Sequence, residues 1–142
     1  MRYADNYIYE VYLKIEKSLN YSEKEMSYKD LIKYIKAIDP DGEGYLSNWG
    51  DISHEGYNNV LKKAATAEYN GAEDDVEMIH SIINANGGDF VNDYKTLQQT
   101  LGYDGIIVNK PHWGQDSGDH KVYVAWFIDQ IKVVNKIKVD RA

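Results

Sequence analysis

Apolar and polar positions alternate with a period of two over residues 7–16, YIYEVYLKIE, so that Tyr7, Tyr9, Val11, Leu13 and Ile15 share one face. That pattern predicts a strand with one apolar and one mixed face. The period then lengthens. Leu31, Ile32, Tyr34, Ile35 and Ile38 fall on one side of a helix over residues 28–38, with Ser27 placed to cap it. The turn-rich DPDGEGYLSNWGD follows and ends that helix. A second helix is expected from the cap candidate Ser53 to about residue 69, with Gly56 weakening its first turn. A third spans 73–85, where Glu73, Asp74 and Asp75 suit the positive end of the helix dipole, and Gly87-Gly88 stops it. Asp89 caps a fourth, with Phe90, Tyr94, Leu97 and Leu101 on one stripe.

After Gly102 the period returns to strands: GIIVNK, KVYVAWF and QIKVVNKIKV. The expected order is one strand, about four helices, then three strands. This is an α+β single domain over residues 1–142, with a small, mostly antiparallel sheet holding the N-terminal strand and the three C-terminal ones. Val11, Leu13, Ile106, Val108, Val124 and Trp126 are the expected shared core of that sheet.

Composition narrows the classes of function. With 43% hydrophobic and 27% charged residues the chain is globular rather than disordered. No apolar run reaches the roughly 20 residues that cross a bilayer, and the first residues lack a signal-peptide pattern, so no membrane partner and a cytoplasmic location are expected. Cysteine is absent, which removes disulfides, thiol nucleophiles and thiolate metal sites. A formal net charge of -7 argues against direct nucleic-acid binding and for a protein target, including one with a basic groove. Tyrosine, at 13 residues, offers rings with polar tips that serve half-exposed sheet faces or stack on flat ligands.

Four stretches carry candidate chemistry. Gly102-Tyr103-Asp104-Gly105 turns a helix end into a strand and can fix Tyr103 and Asp104 at a cleft, or simply connect the two. The loop NKPHWGQDSGDHK holds His112, Trp113, Gln115, Asp116, Asp119 and His120. His112 and His120, with Lys121, form a possible acid/base set for a metal-independent nuclease, whereas no helical i, i+4 spacing fixes a metal site. Asp39, Asp41, Glu43 and Gly44 match positions of a calcium loop, but Gly50 stands where its bidentate glutamate belongs. A helix-ending turn is the better reading. The run Glu73, Asp74, Asp75 and Glu77 is a helix start, or part of a surface mimicking a phosphate backbone.

Two segments resemble the ADP-ribosyltransferase-like domains of phage polyvalent and head-morphogenesis proteins: YEVYLKIEKSL near the N-terminus, and GYDGIIV followed by YVAWF and QIK at the C-terminal end. The resemblance implies NAD as substrate, attack on its ribose carbon, loss of nicotinamide and transfer of ADP-ribose to a protein target. Such a pocket needs an aromatic platform, polar groups for the ribose and a carboxylate that stabilises an oxocarbenium-like transition state. Carried over, Gln130 and Asp104 take the catalytic positions, and Tyr103, Trp113 and Tyr123 border the nucleotide. Before the first strand only Arg2 is available as the arginine or histidine that holds NAD in such transferases, and the final strands offer Asp129 and Gln130 in place of a glutamate. A second reading therefore stands beside the first: a catalytically inactive, small acidic inhibitor of the anti-CRISPR kind, occupying a protein's basic nucleic-acid groove.

Overall fold

The computed structural model describes residues 7–109 and 121–138, which form five α-helices, two 3-10 turns and five strands. The α+β architecture expected from the pattern is present, and the strands divide between two small sheets. Strand β1 (Tyr7–Leu13) pairs antiparallel with β5 (Ile131–Lys138) in a two-stranded ribbon, with a register shift between Glu10 and Val11. The second sheet has the order β2-β3-β4. In it β2 (Ser18–Asn20) runs parallel to β3 (Gly105–Asn109), and β3 runs antiparallel to β4 (Lys121–Ala125). The N-terminal strand therefore does not share a ladder with β3 and β4.

Helix α1 (Tyr28–Ile38) starts as its pattern requires, the Ser27 hydroxyl accepting from the Asp30 amide at 3.1 Å. At its end both oxygens of Asp39 accept backbone amides, from Gly44 at 2.9 Å and Leu46 at 2.8 Å. These bonds fold residues 39–46 into a turn that runs into a 3-10 segment, Tyr45–Asn48. The expected second helix is two. Asp51, not Ser53, caps the single-turn α2 (Ile52–Glu55), and α3 (Tyr57–Gly71) begins afresh after Gly56. At φ 86° Gly56 leaves the helical region, so the backbone breaks where propensity suggested only weakness.

Helices α4 (Asp75–Ala85) and α5 (Phe90–Leu101) are capped by Asp74 and Asp89, whose carboxylates accept the Glu77 and Asn92 amides. Leu31, Tyr34, Ile35, Tyr45, Met78, Ile79, Ile82, Ile83 and Leu97 lose all solvent contact between these helices. Each such apolar side chain contributes roughly 1.5–3 kcal/mol by its burial. Leu19 of β2 and Ile106 and Val108 of β3 close the same core from the sheet side. Among the described residues no helix is long and apolar enough to cross a membrane.

The expected sheet core holds only in part. Ile106 and Val108 are buried, and Leu13 and Trp126 are half-buried. Val124 is 42% exposed on β4, the outer strand of its sheet. The Val11 side chain lies outside the described residues.

Candidate functional site

Two chain segments cross from one sheet to the other. Residues 14–17 carry β1 into β2, and residues 126–130 carry β4 into β5, the latter ending in a 3-10 turn, Ile128–Gln130. Asp104, at the start of β3, lies between them. Its carboxylate accepts the Glu16 amide at 3.1 Å and the Lys17 amide at 3.0 Å, and its own amide donates to Lys17 O at 2.9 Å. Gln130 completes the junction. Its Nε2 donates to Lys14 O and to Asp104 O, each at 2.8 Å, and its Oε1 accepts the Phe127 amide at 2.7 Å. The Lys14 amide donates in return to Gln130 O at 2.9 Å.

Asp104 and Gln130 are each 8% exposed. The two are thus brought together, with their polar atoms turned onto backbone. Buried backbone groups need such partners, and side chains that supply several at once lock a junction cooperatively.

Beside this junction the two sheets leave an apolar groove of about 230 Å³ lined by Leu13, Ile15, Ile107 and Tyr123. Ile107 and Tyr123 are cross-strand partners, and Leu13 faces Ile131 in the other sheet. A Cβ added to Gly105 would stand 2.7 Å from Val124 O and 3.0 Å from Ile15 Cγ2. Glycine at this position lets Ile15 lie against β3. Tyr123 is 50% exposed, an aromatic ring at the rim of a groove sized for one ring system rather than a whole dinucleotide.

Tyr103 goes elsewhere. It is 5% exposed in the helical core, with the Lys17 ammonium 4.3 Å from its ring centre, and burial pushes its hydroxyl up to about 12. Gly102 before it caps α5 in the left-handed conformation, as expected. Trp113, His112, Gln115, Asp116, Asp119, His120, Arg2 and the Lys121 side chain lie outside the described residues.

Two other concavities stand apart from the groove. Asp41, Glu43, Ser47, Asp51 and their neighbours line a broad, shallow depression of about 830 Å³. Phe90, Val91, Tyr94, Ala125, Trp126 and Phe127 line an aromatic trough of about 290 Å³, where Trp126 stacks on Tyr94 at 4.1 Å. The Trp126 indole N–H is buried without a partner among the described residues. His80 meets Phe90 edge-on at 5.3 Å and bonds the Tyr94 hydroxyl, so it is a packing residue.

The acidic run at the start of α4 divides by role. Asp75 is fully buried, and its Oδ1 accepts the Glu25 and Met26 amides at 3.0 Å each, which ties the loop after β2 to the helix. It therefore forms no part of an acidic surface. Asp39 and Asp75 stand out in the sequence for other roles, and the buried Asp93 does not; aspartate beside a helix end cannot tell a cap from a buried clamp. No protein-family model, curated protein or solved structure matches this chain.

Proposed function

We propose that the protein is an ADP-ribosyltransferase-like domain of phage or mobile-element origin that binds NAD at the groove between its two sheets. What carries the reading is convergence. The segments that bear the resemblance lie some ninety residues apart in the chain, yet they meet through Asp104 and Gln130 and line one groove with Leu13, Ile15, Ile107 and Tyr123.

In this reading the nicotinamide ring lies against Tyr123 on an apolar floor. A nucleophile on a protein target then bonds to the ribose C1′. The C1′–N bond breaks, and its electron pair neutralises the departing pyridinium. Excluding water from the ring side favours release of the uncharged product over that of the bound cation. Gln130 and Asp104, first expected as catalytic, instead shape the groove.

One observation favours the second reading. The polar atoms of Asp104 and Gln130 are engaged by backbone rather than offered to a ribose. An acidic inhibitor without turnover, of the anti-CRISPR kind, needs only the fold and its surface charge of the sign that a basic groove attracts.

NAD labelled in its adenylate half, incubated with the protein and bacterial lysate, separates the two. Transfer predicts label on a protein band, reduced about tenfold or more in Tyr123→Ala through loss of the ring platform. Unlabelled lysate, with the same lysate yielding a stoichiometric, salt-sensitive complex, supports the inhibitor.

A further inference from the structure

We propose that Asp104 and Gln130 are positioning residues that set the width of the groove, and through it the affinity for the ring that enters. The identity of that ring rests on the dinucleotide reading above; the clamp itself does not.

The walls of the groove belong to different sheets. Leu13 comes from the β1–β5 ribbon and Ile15 from the connector that follows it, while Ile107 and Tyr123 come from β3 and β4. No ladder of hydrogen bonds joins the two sheets among the described residues. Their spacing is therefore decided where the chain crosses between them, at residues 14–17 and 126–130.

At that crossing two side chains bond the backbone beside its own bonds, which run from the Lys14, Asp104 and Trp126 amides to Gln130 O, Lys17 O and Asp104 O. Asp104 holds the Glu16 and Lys17 amides, and Gln130 holds Lys14 O, Asp104 O and the Phe127 amide. Lys14 and Glu16 flank Ile15, so the two residues grip the backbone on either side of a groove-lining side chain. Ile15 in turn rests on Gly105, one residue beyond Asp104. Loss of either clamp leaves two or more backbone groups without partners. The connector, with Ile15 on it, is then held only by the remaining side chain and the backbone bonds of Lys14 and Lys17, and opens more readily from β3.

Gln130→Glu tests this, because it keeps the size of the side chain and removes both donors. Amide hydrogen exchange and NMR shifts are read alongside titrations with NAD and with nicotinamide alone. The expected result is exchange at Glu16 and Lys17 faster by tenfold or more, shifts at Ile107 and Tyr123, and ring affinity down at least tenfold in the protein that remains folded. A merely structural role would lower the melting temperature and leave the affinity of the folded fraction unchanged; that result overturns the proposal. So does wild-type exchange at Glu16 and Lys17. If Gln130→Glu does not fold, Asp104→Asn, which keeps one acceptor oxygen, is put through the same measurements, and the same results support or overturn the clamp. Failure of the wild-type protein to bind either probe would sink the dinucleotide reading alone, with the clamp still judged by exchange and by the groove shifts.

Discussion

At the scale of single residues, aspartates do structural work that their neighbours in the chain do not. Asp74 and Asp75 are adjacent, yet one caps a helix from the surface and the other is sealed beneath a loop. Asp75→Ala strands the Glu25 and Met26 amides and is expected to cost about 2–4 kcal/mol in denaturant unfolding, whereas Asp75→Asn, which keeps an acceptor oxygen, should cost less than about 1 kcal/mol. Burial raises the Asp75 carboxyl above its ordinary 3.8, outweighing the amide bonds that lower it. The folded state then holds the proton more tightly than the unfolded one. Its contribution to stability therefore declines as pH rises from 3.8 through the raised value, and Asp75→Asn should remove that slope. Spacing could place both aspartates at a helix start. It could not say which one the loop after β2 would cover, because that contact joins residues about fifty positions apart. The same holds for Gln130. Its place beside a strand was legible, and the direction of its amide was not.

At the scale of elements, caps and apolar stripes marked α1 and α5 closely, and an acidic run marked the start of α4 to within two residues, since each starts on a side chain that serves its own helix. Elements that depend on distant partners were harder to see. Three-residue β2 exists because β3 offers it a parallel edge, and three residues carry no period. The packing of α4 on α5 supplies a further test through His80, which is half-buried between Phe90 and Tyr94. Burial lowers its pKa from the ordinary 6.5, against a smaller opposing pull from Asp74. The unfolded chain then binds the proton more readily than the folded one, so stability falls as pH drops below 6.5. Thermal melts between pH 7 and 5 should show that loss in the native protein and a smaller one in His80→Gln. Equal slopes would mean that His80 is not the group responsible.

At the scale of the whole molecule, the α+β order followed from the pattern, and the division into two sheets did not. Alternation states that a segment is a strand and is silent about which strand it joins. Here β1 pairs with β5, and the chain must cross to the second sheet and back. Those crossings make the groove, and NAD binding there is the claim on which the proposed function stands. Titration of the isotope-labelled protein with NAD, followed by NMR, tests it without intermediaries. Saturable shifts concentrated at Leu13, Ile15, Ile107 and Tyr123 are expected, with Tyr103 in the helical core unmoved. Absence of shifts at millimolar NAD, or shifts centred away from those four residues, would contradict it.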